Sequence, residues 1–244
     1  MKKIIVANWK MNPLTENEAA RLARAVDINR AIIVPPFIFL RQVGSVLKRA
    51  SLGAQDVFLK NGAGAFTGEI SPEMLKNAGV KFVIIGHSER RNIIGETDEV
   101  AAKKTEAAIS AGLSVILCVG EPWAVRREGT ESVKKFVGAQ VKAVLKKIAK
   151  QPGSIVSARV KIAYEPVWAI GTGKTAFPAD AVLVSKFIKS VFRKAGRKPP
   201  QVLYGGSVNS KNIGYFIAEK EIDGVLVGGA SLDAKEFRRM AEAV

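Results

Sequence analysis

The stretch AYEPVWAIGTGKTAF, residues 163–177, carries two overlapping signals for chemistry. Its glycine-rich half, GTGKT at 171–175, is similar to the end of a nucleotide-binding P-loop, while Glu165 closes a short apolar run just upstream. The pattern G-x-x-x-x-G-K-[ST] places its first glycine where this chain has Trp168. A P-loop also leads directly into a helix, whereas Pro178 follows shortly after the motif. We therefore interpret Glu165 as a carboxylate beside a loop rather than as part of an ATP site.

The loop itself has the composition of a mobile lid. Residues 166–168 and 174–176 bracket a small tip of apolar residues and glycines at 169–173. Two short hinges around such a tip are typical of loops that close over a substrate. The N–H groups of the tip glycines could bind an anion.

Other reactive residue types also stand at the ends of apolar runs. They include a cation, Lys10, and the one histidine of the chain, His87, so a base, an electrophile and a cation are all represented. Glycine-rich turns follow the last two runs, and backbone N–H groups in such turns bind phosphate well. The residues at the run ends are Asn8 to Lys10, Gly86 to Arg90, Cys118, Glu165, Gly205 to Ser207 and Gly228 to Ser231.

The apolar runs alternate with amphipathic helical stretches along the whole chain. Most runs are rich in valine and isoleucine and nearly continuous, as expected for parallel strands that are buried on both faces. The predicted strands are 3–8, 30–35, 51–55, 82–86, 114–120, 160–165, 201–206 and 223–229. The predicted helices are 15–26, 37–49, 71–78, 96–111, 130–150, 178–195, 208–218 and 231–243.

Eight strand–helix repeats in 244 residues predict the α/β class and a closed (β/α)8 barrel that forms one domain over 1–244. An open sheet of eight strands is the alternative. In a barrel the carboxyl ends of all strands meet at one rim, so we expect the candidate residues to come together there. The long irregular connection at 56–70 is expected to be functional or interfacial.

The composition of the chain bears on its core, its relation to membranes and its cellular compartment. Hydrophobic residues make up 48% of the chain and charged residues 25%, which is enough for a sizeable core. Neither a signal peptide nor a membrane helix is expected, because no apolar stretch is long enough. Cys118 is the one cysteine, so an intrachain disulfide is excluded and a reducing compartment is expected. We predict a cytoplasmic protein without a membrane partner.

The formal charge of +16 is unusually high. Residues 181–218 hold seven basic residues and no acid, and several lysines share one face of the predicted helix 130–150. A nucleic-acid groove is one explanation, but no aromatic residues interleave with these lysines. We favour solvated outer helix faces and expect no nucleic-acid partner. Attraction of anionic substrates is a third explanation.

Six motifs together resemble triosephosphate isomerases, from the first strand to the last. They are NWKMN (8–12), GAFTGEIS (64–71), IIGHSERR (84–91), AYEPVWAIGTGKTA (163–176), YGGSV (204–208) and VGGASL (227–232). The resemblance implies a TIM barrel and a proton transfer between dihydroxyacetone phosphate and glyceraldehyde 3-phosphate through an enediolate, a step of glycolysis and gluconeogenesis. It implies no cofactor. No group of His, Cys and Asp residues has metal-ligand spacing, so we also predict no metal. This family is the standard example of a carboxylate base that works beside a neutral histidine.

The resemblance also assigns roles to residues of this chain. It makes Glu165 the general base, His87 the electrophile and Lys10 the cation that stabilises developing negative charge. The residues expected to bind substrate are Asn8, Lys10, Gly171, Ser207, Gly228 and Gly229.

Further residues have supporting roles by the same resemblance. Glu89 is expected to pair with Lys10, and Cys118 to pack behind the base. Ile170 and Leu226 match an apolar clamp over the carboxylate. Thr67 lies in the loop that inserts into a second subunit, which predicts a homodimer.

Two departures from the family pattern stand out. Asp56 occupies a position where the family often has asparagine, and Glu121-Pro122-Trp123 replaces a more usual polar stretch. Neither departure removes a group that the reaction needs.

Overall fold

A computed structural model of the chain describes residues 3–170 and 176–244, and within them eight parallel strands form one closed barrel. Strands that follow one another along the chain are also neighbours in the sheet. Because the strands are parallel, each connection returns the chain to the end of the barrel where the strands begin. The strands are β1 (Ile4–Asn8), β2 (Ala31–Val34), β3 (Ser51–Ala54), β4 (Phe82–Ile85), β5 (Ser114–Val119), β6 (Val160–Tyr164), β7 (Gln201–Tyr204) and β8 (Gly224–Val227).

The pairing of β1 with β8 decides between a barrel and an open sheet. Ile4 pairs with Gly224, and the register continues to Ala7 opposite Val227. This closure confirms the predicted (β/α)8 barrel.

Alternate residues of every strand except β3 enter two separate cores. One set fills the barrel interior and includes Val6, Ile84 and Leu203. The other set, with Ile5, Ile85 and Val202, packs against the surrounding helices. Most strands are therefore apolar on both faces, which explains why they read as nearly continuous hydrophobic runs.

The helices surround the barrel and run back from the rim that carries the functional residues. They are α1 (Glu16–Ala25), α2 (Leu40–Val46), α3 (Pro72–Asn77), α4 (Ser88–Ile93), α5 (Asp98–Ser110), α6 (Trp123–Arg126), α7 (Thr130–Lys147), α8 (Gly153–Arg159), α9 (Pro178–Lys194), α10 (Ile213–Ile217) and α11 (Ala234–Glu242). None of the helices in the described part of the chain is long and apolar enough to cross a membrane.

The sequence did not predict α4, α6 or α8, which have only six, four and seven residues. It also made α10 too long at its N-terminal end. The side chain of Asn209 accepts the N–H groups of Lys211 at 2.9 Å and Asn212 at 3.2 Å. That local turn satisfies backbone donors before a helix can start, so α10 begins only at Ile213.

Candidate active site

A cavity of about 260 Å³ opens at the carboxyl ends of the strands. Nine residues that the sequence assigned to the site line it: Asn8, Lys10, His87, Glu165, Ile170, Ser207, Leu226, Gly228 and Gly229. The lining also includes Gly205, Gly206 and Ala230 of the two predicted glycine turns, and Val208 and Asn209, which follow the first of them. Gly171 lies outside the described residues.

Glu165 is the carboxylate at the floor of this cavity, and only 2% of its surface is exposed. Its Oε2 accepts the backbone N–H of Ser88 at 2.9 Å. Its Oε1 lies 3.2 Å from Nε2 of His87, without the angles of a hydrogen bond, and has no hydrogen-bond partner among the described residues. A buried acceptor that lacks a donor is able to take up a proton.

Two glycines create the space in which Glu165 sits. A β-carbon on Gly120 would lie 1.6 Å from the carbonyl oxygen of Glu165, and one on Gly205 would lie 3.0 Å from its Cγ. The Glu165 N–H meanwhile donates to the Val119 carbonyl at 2.8 Å. The backbone of Glu165, just after β6, is thus fixed from both sides. The Glu165 side chain is directed to the cavity.

His87 lies between β4 and α4, where it caps the helix. Its Nδ1 accepts the backbone N–H of Glu89 at 3.2 Å. An acceptor nitrogen carries no proton, so this geometry assigns the neutral tautomer with the proton on Nε2. Nε2 faces Glu165 and the cavity, so His87 presents an uncharged N–H donor.

Lys10 lies two residues after the end of β1 in a left-handed backbone conformation, with φ of 53°. Both of its backbone groups are held: the N–H donates to Oδ1 of Asn8 at 3.1 Å, and the carbonyl accepts Nε2 of Gln55 at 2.7 Å. The ammonium group pairs with Glu89 at 2.5 Å. The predicted Lys10–Glu89 contact is therefore present, and Gln55 is a supporting residue that sequence reasoning missed.

The glycine turn after β8 is shaped by Ser231. Its backbone N–H and its hydroxyl both donate to the Gly228 carbonyl, at 2.8 and 2.6 Å. This closes the short 3-10 helix Gly229–Leu232 and leaves Gly229 exposed at its start. A β-carbon on Gly228 would lie 3.3 Å from Cε of Lys10, so the turn and the cation are in close contact.

The turn after β7 contacts the segment that follows β6. The Ser207 hydroxyl donates to the carbonyl of Ala169 at 2.7 Å. Gly206 has no room for a side chain, because a β-carbon there would lie 2.2 Å from the hydroxyl oxygen of Tyr204. Ser207 thus connects the glycine turn to the segment that carries Ile170.

Cys118 lies in the barrel interior, fully buried, and does not line the cavity. Burial, together with the nearby Glu165 carboxylate, raises the pKa of its thiol well above the usual value. A thiol that stays protonated and out of contact with the cavity fits the predicted packing role.

Thr67 is exposed on the loop between β3 and α3 and lies away from the cavity. A second cavity, of about 220 Å³, adjoins the first and is lined by Lys10, Gln55, Glu89 and Ile93 among others. Its rim exposes Met11, Ile93 and Ile94, which are 87%, 76% and 66% exposed.

Metal-ligating side chains are not grouped in this site. Among residues 3–170 and 176–244, no three His, Cys, Asp or Glu side chains form a cluster that could hold a metal ion.

Comparison with known proteins agrees with this geometry. A sequence model of the family described as triosephosphate isomerase matches residues 3–244. The chain belongs to the triosephosphate isomerase family.

Three relatives named triosephosphate isomerase match nearly the whole chain. The protein of Thermoanaerobacter sp. (strain X514) is 46% identical over 251 aligned positions, covering 98% of each chain. That of Thiobacillus denitrificans is 46% identical over 250 positions, covering 99% of this chain and 98% of the relative. That of Aquifex aeolicus is 40% identical over 251 positions, covering 98% of each. The resemblance drawn from the six motifs is thereby confirmed.

Proposed function

We propose that this protein interconverts dihydroxyacetone phosphate and D-glyceraldehyde 3-phosphate by proton transfer through an enediolate, a step of glycolysis and gluconeogenesis. The observation that carries the proposal is the convergence of Glu165, His87 and Lys10 on one cavity beside two glycine turns. The names of the relatives support the same reaction.

Glu165 is the general base of the proposed reaction. Its Oε1 takes the proton from C1 of dihydroxyacetone phosphate, and the electron pair of the broken C–H bond forms the enediolate double bond. The protonated carboxyl then returns the proton to C2, while the hydroxyl proton moves from the oxygen on C1 to the oxygen on C2, which gives the aldehyde isomer without any net change in oxidation state. A positioned carboxylate of this kind contributes on the order of 10²–10⁴-fold to the rate.

His87 and Lys10 stabilise the charge that develops on the substrate oxygens. The Nε2–H of His87 donates to the carbonyl oxygen as it becomes an enediolate oxygen. The ammonium of Lys10, held by Glu89, supplies a positive charge on the same side of the cavity. Donors that are fixed before the reaction stabilise such a charge without having to reorient.

The glycine turns are the proposed phosphate site. Gly228, Gly229 and Ser207 line the cavity on the side away from β4. Glycines allow backbone N–H groups to approach phosphate oxygens closely, and the 3-10 helix that begins at Gly229 directs N–H groups toward the same place. Asn8 supplies a further polar group at the rim. Gly171 belongs to the proposed phosphate site by its motif.

A homodimer is part of the proposal. The loop with Thr67 projects outward from β3, and the second cavity beside Lys10 has an apolar rim that includes Ile93 and Ile94. Exposed apolar side chains grouped around a concave surface mark a protein interface. The occupant that fits is the same loop of a second copy, because it carries Phe66 at 39% exposure and Thr67. We also propose a cytoplasmic location and no nucleic-acid partner.

A coupled assay of triose-phosphate interconversion tests the proposed function. Fast turnover by the purified protein is the expected result. Absence of turnover, with phosphate-bearing ligands still bound in the cavity, would contradict it and would indicate a phosphosugar barrel with different chemistry.

A further inference from the structure

Four charged side chains form a cluster behind His87, outside the cavity. They are two acids and two bases: Asp56, Glu96, Arg90 and Lys104. Lys104 is buried and lies 2.6 Å from Glu96 and 2.8 Å from Asp56. Arg90 lies 2.9 Å from each of the same two acids. The charges balance, and neither the proposed reaction nor the six motifs assign the cluster a role.

Within the cluster, Glu96 contacts the chain on both sides of His87. Its Oε1 accepts the backbone N–H of Gly86, the residue just before the histidine, at 3.1 Å. Its Oε2 accepts Nε of Arg90, which lies on α4 three residues after the histidine, at 2.9 Å. One carboxylate therefore joins the end of β4 to the helix that His87 caps.

The turn held by Glu96 determines where the imidazole points. Gly86 leaves the strand with φ of 69°, a conformation that favours glycine. Its carbonyl accepts Nε of Arg91 at 2.7 Å, so both of its backbone groups bind side chains. His87 follows at once, and its Nδ1 accepts an N–H of α4. A shift of either the turn or the helix would move Nε2 relative to Glu165.

We propose that Glu96 is a positioning residue for His87, because it ties the turn before the histidine to the helix after it. This inference rests on the proposed function, in which His87 Nε2 donates to the substrate. Glu96 itself does not line the cavity and touches neither substrate nor the reacting atoms.

Asp56 shares the partners of Glu96 but not its backbone contact. It binds Lys104 and Arg90 and has no hydrogen bond to Gly86 or His87. The two acids also differ in electrostatics. Burial raises the pKa of Asp56. For Glu96 burial acts in the same direction, but hydrogen bonds and charge from Lys104 and Arg90 outweigh it and lower the pKa. Asp56 is therefore a matched control from the same cluster.

The test compares Glu96→Gln with Asp56→Asn in the full-length protein. In Glu96→Gln an NH₂ group faces Arg90 and Lys104, so the helix side of the link is lost. Small displacements of a reacting group cost up to about 10²-fold. We therefore expect kcat to fall on the order of 10–100-fold in Glu96→Gln with little change in KM. The fall in kcat should be much smaller in Asp56→Asn.

A spectroscopic readout separates positioning from a merely structural role. His87 is the one histidine in the chain, so its imidazole nitrogens give one assignable pair of ¹⁵N signals. Glu96→Gln should shift these signals, whereas Asp56→Asn should leave them close to wild type. Equal losses of thermal stability in both variants, with kcat and the imidazole signals unchanged in Glu96→Gln, would overturn the inference.

A second variant keeps the inference testable if Glu96→Gln does not fold. Arg90→Gln removes the helix side of the link at a residue whose side chain is 34% exposed. It should also shift the His87 signals and lower kcat; a protein with neither change would refute the inference. Wild-type inactivity would instead contradict the proposed function, and the imidazole signals would still report on positioning.

Discussion

Nε2 of His87 lies 3.2 Å from Oε1 of Glu165, at the floor of the cavity. The two side chains come from β4 and β6, which are not adjacent in the barrel. Ser88, the first residue of α4, also contacts Glu165: its backbone N–H donates to Oε2 of the carboxylate at 2.9 Å. The start of α4 thus brings the uncharged N–H donor of His87 close to the carboxylate of Glu165. A proton transfer between adjacent carbons requires both a donor and a base at one point.

The tautomer of His87 gives the first prediction. The hydrogen bond from Glu89 N–H to Nδ1 requires the proton to be on Nε2. The ¹⁵N spectrum of the imidazole should therefore show a protonated Nε2 and an unprotonated Nδ1 near neutral pH. His87→Ala should lower kcat by on the order of 10²–10³-fold, as loss of an oxyanion donor does. A proton on Nδ1 would refute the assignment.

Gly120 gives the second prediction, since its contact with Glu165 leaves no room for a methyl group. Gly120→Ala should displace the end of β6, lower the free energy of unfolding by about 1–3 kcal/mol and reduce kcat. Gly214→Ala is the matched control, because nothing lies within 4 Å of its added β-carbon. In α10 that change should raise stability by roughly 0.5–1 kcal/mol. Equal behaviour of the two variants in chemical denaturation would contradict the steric argument.

Glu121 gives the third prediction, on pH dependence. It is fully buried, and its Oε1 accepts the Tyr164 hydroxyl and the Trp168 indole N–H, both at 3.0 Å. Burial raises its pKa above the ordinary value of 4.5. The folded protein therefore holds this proton to higher pH than the unfolded chain, so the wild type gains stability from this group as pH falls through the folded pKa toward 4.5.

Glu121→Gln removes that titration, while its amide oxygen can still accept the same donors. The Tm of the variant minus that of the wild type should therefore increase from about pH 4.5 to about pH 8. Thermal melts across this range measure it. If this difference in Tm stays constant or falls as pH rises, burial does not raise the pKa of Glu121 as expected.

The apolar rim of the second cavity gives the fourth prediction. Ile93→Asp places a charge at a residue that is 76% exposed in the single chain and buried in the proposed dimer. Light scattering should show a dimer for the wild type and a larger monomer fraction for the variant. Tyr215→Asp is the control: it is 68% exposed, on α10 between β7 and β8, and should remain dimeric. A fully active wild-type monomer at micromolar concentration would contradict the dimer.

The sequence predicted the barrel and the residues of the cavity because both depend on local patterns. Continuous apolar runs define the strands, and each candidate group follows a strand end, so parallel topology brings them together. Gln55 and Glu96 were missed for the opposite reason. Gln55 supports a carbonyl 45 positions away in sequence. The partners of Glu96 are only 6 to 10 positions away, but they lie on a turn and on two different helices, so contact depends on how these elements pack. The spacing of residues in the sequence does not reveal such contacts. From sequence alone, the buried Lys104 on α5 cannot be distinguished from a lysine on a helix surface.

The most direct test of the proposed reaction measures interconversion of glyceraldehyde 3-phosphate and dihydroxyacetone phosphate for the wild type and for Glu165→Gln. The variant keeps the size of the side chain and an oxygen that can accept the Ser88 N–H, but it has no basic oxygen. We expect rapid wild-type turnover and a loss on the order of 10²–10⁴-fold or more in kcat for the variant, with its fold intact by circular dichroism. Wild-type turnover that persists at full rate in Glu165→Gln would contradict the assignment of the base.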